Sequence, residues 1–360
     1  MAECHLTKDQ YLELEKIGLG AFRPLSGFMR EDEFLAVVEN LRLPGGEVFP
    51  LPVVLDVTRD AAERMRGRPR VSLLFDGAEV GEIAPESIFV CDKMKAALKI
   101  FGTNDEAHPG VRNFINGGDT FVGGPIKLKR RATFDISRFE LTPDQTKAEF
   151  SKRGWQTIVG FQTRNVPHRA HEHLQRVALE QADGLFIQPL VGRKRANDFT
   201  PQAIMAAYQT LTSQFYNPER VLLGILSTAM RYAGPREAMF HAIIRRNYGC
   251  THFIIGRDQA GVGSYYGKYA AHALVRRYAS ELGIGILFLH GPFYCRRCDG
   301  IVTEQTCPHP LTDPEAVTEI SGTMIRSMLS GGQEPERHLM RPEVVSSLRG
   351  IQLFIAKDET

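Results

Sequence analysis

An α/β protein with a parallel sheet covered by helices is predicted, preceded by a mainly β domain and followed by a small C-terminal domain. Three features of the 360-residue chain predict this order. From about residue 136, apolar β-type runs at 157–161, 185–191, 221–227, 252–256 and 285–289 alternate with longer helix-like stretches, the rhythm of strands joined by crossover helices. Residues 1–135 lack that rhythm. Residues 291–360 open on a cluster of cysteines. The expected domains are therefore 1–135, 136–290 and 291–360.

In the first segment, Val48–Val57 and Val71–Phe75 are short apolar candidates bounded by Gly, Pro and Asp, as β-strands are, and a helix is expected near Asp32–Asn40. The basic run Lys127–Arg131 reads as solvated surface.

The second segment begins with the strand-like run Thr157–Phe161, followed directly by Gln162-Thr163-Arg164-Asn165-Val166-Pro167-His168-Arg169-Ala170-His171 and a helix-like stretch from His168 to Gln181. Cationic, amide and imidazole groups thus gather where a strand hands over to a helix, the place at which open α/β sheets bind ligands and helix N–H groups attract anions. Pro167 suits a helix entrance, and His168 and His171 are spaced to share a helix face. A plain polar loop is the alternative. A zinc-protease helix is not, because His171-Glu172 lacks the second His at the required spacing. Asn165 and Arg257 both fall just beyond strand candidates, so a parallel sheet would bring them to one edge.

In the third segment, Cys295-x2-Cys298-x8-Cys307-x-His309 supplies three thiols and an imidazole within fifteen positions. These are the four ligands a closed tetrahedral zinc site takes, and Gly300 and Pro308 fit a compact knuckle; free buried cysteines or a disulfide are the alternatives. Cys4, Cys91 and Cys250 lie apart and read as ordinary thiols. Farther on, Ile320-Ser321-Gly322-Thr323-Met324-Ile325-Arg326 could hold a phosphate through N–H groups and Arg326, or could be a helix cap at Ser321 or Thr323. The residues leave both open.

Gln162-Thr163-Arg164-Asn165-x-Pro167-His168-x-x-His171 resembles the signature of the ATP sulfurylases. So do Ser227–Ala238, Gly256–Gly263, Gly20–Met29, His108–Val111 and Gly123–Ile126, in the family's order along almost the whole chain. The resemblance implies a PUA-like barrel at 1–135 and a Rossmann-like nucleotidylyltransferase domain at 136–290. It also implies transfer of AMP from ATP to sulfate, giving adenosine 5′-phosphosulfate and pyrophosphate. Within it, Arg164 would clamp sulfate and Gln162 would border sulfate and nucleotide. Thr163 and Asn165 would orient phosphate, and His168 and His171 would neutralise charge on the departing pyrophosphate. Gly256, Arg257, Asp258 and Gln259 would contact the nucleotide, and the Ala260 N–H would meet sulfate. Mg²⁺ is expected with ATP, structural Zn²⁺ on Cys295, Cys298, Cys307 and His309 as in some bacterial members, and a homodimer by the same resemblance. Gln259 departs from the family's usual His and cannot become cationic. Ser264, Lys268 and Ala271 also differ from common family residues.

Composition narrows the field. Charged residues make up 24% of the chain and the net charge is +2, which indicates no general attraction to nucleic acid or anionic lipid. No apolar run approaches the roughly 18 residues of a membrane span, and Met1–Gln10 is too polar for a secretion signal, so a cytoplasmic protein is expected. Two other functions remain in view: a nucleotidylyltransferase with a different acceptor, and an RNA-binding protein using the PUA-like domain and knuckle.

Overall fold

The computed structural model describes residues 2–356. Its first part is a seven-stranded sheet curled around one long strand, Thr120–Leu128, which pairs antiparallel with Gly27–Phe28, Leu55–Val57, Ala78–Ile83 and Ser87–Phe89. Val71–Phe75 extends the sheet, and Ala2–His5 closes that edge by parallel pairing. The expected helix is present as Glu31–Asn40. The candidate strand Val48–Val57 shrinks to Leu55–Val57 because Pro50 and Pro52 have no N–H for a ladder, while Val48 makes only an isolated bridge with Arg42. The basic run is consumed locally: Lys129 pairs with Glu79 and Glu82, and Arg131 with buried Glu15.

The second part is an all-parallel five-stranded sheet in the order Val221–Leu223, Gly184–Ile187, Ile158–Phe161, His252–Ile255, Gly285–Phe288. All five expected strands are therefore found. Those expected at 185–191 and 221–227 end early, before Pro189 and at Gly224. Period-2 alternation sends Phe253 and Ile255 to one hydrophobic layer and Ile254 to the other, so both faces are covered. The helices Arg169–Leu179 and Pro201–Phe215 supply the layer with Ile254, and Pro235–Asn247 supplies the opposite one. The chain winds outward from the central strand Ile158–Phe161 and then returns to its other side. That reversal opens a crevice beyond the carboxyl ends of Ile158–Phe161 and His252–Ile255, the topological switch point.

The third part is a small antiparallel sheet of Phe293–Cys295, Gly300–Val302 and Val317–Glu319. Beyond it, Ile320, Ile325, Leu339, Met340, Val344 and Leu348 join the layer containing Ile254, so these C-terminal helices roof the parallel sheet.

Several family-like motifs outside the crevice bind the first part to the second. Asn247 donates to the carbonyls of Ala21 and Arg23, and the Phe22 and Phe240 rings pack 5.0 Å apart. His108 caps the helix Pro109–Ile115 and its Nε2 faces the Tyr232 carbonyl at 3.1 Å. Gly110 is required by close approach, since a Cβ there would lie 2.0 Å from the Arg231 carbonyl oxygen. Gly110→Ala is accordingly expected to destabilise the protein by about 1–3 kcal/mol, the range for forcing a methyl into packed structure. Denaturant unfolding checks this, and an unchanged midpoint would contradict it.

Candidate active site

The turn after Ile158–Phe161 is fastened from within. The Asn165 N–H donates to Thr163 Oγ1 at 3.1 Å, and the Leu190 N–H to the Thr163 carbonyl at 2.8 Å. Thr163 therefore spends its hydroxyl on the turn itself. Opposite, the loop after His252–Ile255 places Asp258 and Ala260 at φ 49° and 59°, left-handed conformations uncommon for non-glycine residues and frequent at functional sites. The two loops are tied by Gln259 Nε2, which donates to Gln162 Oε1 at 2.8 Å, and by Arg164 Nη2, which donates to the Gly261 carbonyl at 2.9 Å. Gln259, the departure from the family residue, thus acts as a neutral bridge between the loops.

Between them lies a cavity of about 180 Å³. Its wall includes every candidate from these two loops: Gln162, Thr163, Arg164, Asn165, His168, His171, Gly256, Arg257, Asp258, Gln259 and Ala260. The wall also includes Met230, Gly291, Pro292, Ile320, Ser321, Gly322, Thr323 and Arg326, none of which was among the expected site residues. Of the alternatives left open for the Ile320–Arg326 segment, the helix cap is present, and the same segment also lines the cavity. Ser321 caps the helix Gly322–Ser330 by accepting from the Met324 N–H, and it lines the cavity as well. Arg326 reaches across to donate to Asn165 Oδ1 at 2.6 Å, and Gly322 makes room, since a Cβ there would meet the Asn165 amide at 2.5 Å.

Pro167 precedes the helix cap instead of opening the helix, which runs Arg169–Leu179. His168 is the cap: its Nδ1 accepts the His171 N–H at 3.3 Å, so in the neutral ring the proton sits on Nε2. The two imidazoles stack with centroids 3.8 Å apart. Burial lowers the pKa of His171 to about 3 and drives that of His168 well below its ordinary value, with His171, Arg257 and Arg326 adding to the effect at His168. Both rings are therefore neutral near pH 7, and what they offer an anion is an N–H rather than a formal charge. The cationic groups of the wall are Arg164, Arg257 and Arg326. Asp258 is its carboxylate, with a pKa raised by burial against the lowering pull of Arg164 and Arg257.

The cysteine cluster lies next door. Cys295, Cys298, Cys307 and His309 bring their ligand atoms within 4.8 Å of one another. Cys298 Sγ lies 3.6 Å from Cys307 Sγ, and His309 Nδ1 lies 3.3–3.5 Å from all three sulfurs. Ligands on a tetrahedral zinc at bonds of about 2.0–2.3 Å stand about 3.5–3.8 Å apart, so this donor set fits such a metal. The knuckle is joined to the cavity wall through Arg257, which pairs with Glu319 at 3.3 Å and donates to the Ile320 carbonyl at 3.1 Å. Glu304 makes a second link. Hydrogen bonds from His290, then Tyr269 and Lys268, hold its carboxyl down at about 2, fastening the turn after Gly300–Val302 to the segment after the Gly256–Gly263 loop.

Among the described residues, no helix is long and apolar enough to cross a membrane. Residues 137–350 match the ATP-sulfurylase family model and residues 1–131 the PUA-like domain model. The chain is 42% identical over 355 residues to a sulfate adenylyltransferase of Hyperthermus butylicus, covering 98% of this chain and 90% of that protein. It is 44% identical to the sulfate adenylyltransferase of Symbiobacterium thermophilum, covering 94% and 86%, and to that of Chloroflexus aurantiacus, covering 96% and 89%. A solved structure, a hexameric APS kinase from Thiobacillus denitrificans, superposes with a TM-score of 0.74 at 21% identity. It covers 97% of this chain, which spans 62% of that longer one, and it speaks for the fold alone. With matching domain models in sequence and relatives above 40% identity along nearly its full length, the chain belongs to the ATP-sulfurylase family.

Proposed function

We propose that this enzyme transfers AMP from ATP to sulfate, forming adenosine 5′-phosphosulfate and pyrophosphate, by direct in-line attack of a sulfate oxygen on the α-phosphorus. The observation that carries this reading is the convergence of three arginines, two neutral imidazoles and a bridged pair of glutamines on one cavity at the sheet's switch point. Among the described residues, no serine or threonine of that wall hydrogen-bonds to a histidine, which speaks against a covalent intermediate on an activated hydroxyl. Sulfate is already ionised at neutral pH and needs no general base. The reaction instead needs two mutually repelling anions held in line and charge stabilised as the α–β bond breaks.

In this reading Arg164 clamps sulfate with its free N–H edge, and Gln162 and the Ala260 N–H complete that end. Gly256, Arg257, Asp258 and Gln259 meet the nucleotide. Asn165, held by Arg326, and the turn organised by Thr163 present donors to phosphate. His168 and His171 lie toward the leaving group. Mg²⁺ enters with the triphosphate, bound chiefly by phosphates and water, which suits a wall whose only carboxylate among the described residues is Asp258. Zinc is the metal proposed for the Cys₃His knuckle. A homodimer in a cytoplasmic setting, where the knuckle thiols stay reduced, belongs to the same reading. The test is pyrophosphate-dependent ATP synthesis from adenosine 5′-phosphosulfate. Folded protein giving no ATP would end it, and activity with another acceptor in place of sulfate would reassign the substrate.

The neutral imidazoles give a second test. His168→Ala and His171→Ala are each expected to cut turnover on the order of 10²-fold, as loss of a donor aimed at developing charge does, with little change in sulfate KM. The folded-state pKa of His171 is about 3, below the unfolded value of roughly 6.5. The unfolded chain therefore binds the extra proton first. The stability contributed by the neutral ring is complete above about pH 6.5 and drains away as pH falls toward 3. Unfolding curves at pH 7.5 and 5 should show a shallower pH dependence in His171→Ala than in the parent. Equal slopes would mean that folding leaves the His171 pKa unshifted.

A further inference from the structure

We propose that Asp198 is the positioning residue of the sulfate clamp, a buried counter-charge that holds Arg164 and Arg326 in place from behind the cavity wall. The inference rests on the reading of Arg164 given above. Asp198 is 0% exposed, in the loop between the strand Gly184–Ile187 and the helix Pro201–Phe215, and it is not part of the cavity wall. Its backbone is fixed on both sides: its N–H donates to the Arg195 carbonyl at 3.2 Å, and its carbonyl accepts from the Ile355 N–H at 2.9 Å.

The carboxylate gathers groups from distant parts of the chain. Arg326 Nη1 lies 3.3 Å from it, Arg195 Nε 3.5 Å and Arg164 Nε 3.7 Å, while the Tyr232 hydroxyl donates to it at 2.9 Å. Tyr232 is itself pinned, because its oxygen accepts the Arg195 N–H at 2.8 Å, and its ring lies 5.1 Å beneath the Arg164 guanidinium. Lys194 is buried close by, donating to the Phe199 carbonyl at 2.6 Å. Two guanidinium groups that face one cavity repel each other. Asp198 is the ion-pair partner they share, and its effect runs outward through Arg164 to sulfate and through Arg326 to Asn165.

The consequence is specific to the transition state. With the carboxylate in place, both arginines are oriented before any anion arrives, so no reorganisation is needed during the reaction. Without it the arginines splay apart, yet the site becomes more positive. An incoming dianion then binds as well as before, in poorer alignment. Loss of the carboxylate should therefore lower kcat and leave sulfate KM unchanged or reduced, whereas a merely structural defect would lower thermal stability and impair both substrates alike.

The experiment is a double-mutant cycle on the purified full-length enzyme, following pyrophosphate release from ATP and sulfate. Asp198→Asn, nearly isosteric, is expected to reduce kcat about 10- to 100-fold without raising sulfate KM. In an Arg164→Ala background the same substitution should cost clearly less, because its route to sulfate is gone and only the route through Arg326 to Asn165 remains. Unchanged kcat in folded Asp198→Asn would overturn the proposal, as would an equal penalty in both backgrounds. Arg164→Ala with parental turnover would instead overturn the sulfate-clamp reading on which it rests. If Asp198→Asn does not fold, Tyr232→Phe decides: it removes one bond to the carboxylate and keeps the charge. A several-fold loss of kcat with unraised sulfate KM then supports the proposal, and parental kinetics overturns it.

Discussion

Arg164→Lys is expected to lose about 10²–10³-fold in kcat/KM for sulfate, or about 2.7–4 kcal/mol of transition-state stabilisation. The charge survives the substitution, but the geometry does not. Arg164 serves several directions at once: Nη2 to the Gly261 carbonyl, Nε toward Asp198, the flat face over Tyr232 and the remaining edge into the cavity. An ammonium on a flexible stem has no plane to stack and no fork to present two parallel bonds to an oxyanion. It would also release the tie between the two active-site loops at Gly261. Affinity for ATP should change far less, because the nucleotide is assigned to Gly256–Gln259. Steady-state kinetics with each substrate varied separates the two outcomes. Near-parental turnover in folded Arg164→Lys would remove Arg164 from the sulfate site.

The parts of this site that could be read from the sequence are those that sit directly after a strand. Gln162–Asn165 and Gly256–Ala260 each follow an apolar β run, and in a parallel sheet that position alone directs them to one edge. The cysteine knuckle was legible for a different reason, since four ligands within fifteen positions need no long-range fold to meet. Arg326 was harder, because its segment reads equally as an ordinary helix start. Its place in the wall depends on the C-terminal helices folding back over the sheet, a tertiary event with no local signature. Asp198 carried no signal at all. It lies in a loop without periodicity, and only the convergence of residues 164, 195, 232 and 326 gives it meaning.

The same distinction explains the element boundaries. Strand existence followed from apolar runs, but the regular strands end at Ile187 and Leu223, before Pro189 and Gly224, and beyond them the pairing thins to an isolated parallel bridge between Leu190 and Leu226. Charge was misleading in one respect. Two histidines beside an anion site suggested cations, yet burial of both rings keeps them neutral and leaves the positive charge to arginine.

Cys298→Ser is expected to remove about one zinc per chain, to lower the melting temperature by about 5–10 °C and to raise the KM for ATP several-fold, while much of the turnover at saturation remains. Four protein ligands would leave a metal no open position for water or substrate, so the work proposed for it is structural. The segment it organises is small: Phe293, Cys295 and Cys307 are the buried members of its own cluster, too few to stabilise three short strands without a cross-link. The effect on ATP follows from the position of the third strand. Val317–Glu319 carries the Glu319 that pairs with Arg257 and leads straight into Ile320–Thr323 of the cavity wall, while Glu304, just past the strand Gly300–Val302, fastens Lys268 and His290. A loosened knuckle would therefore misplace the contacts proposed for the nucleotide and leave the Arg164 end intact. Metal analysis that finds no zinc in enzyme purified under reducing conditions would refute the site. Full metal loss that abolishes turnover yet leaves the melting temperature unchanged would make the metal part of the chemistry instead.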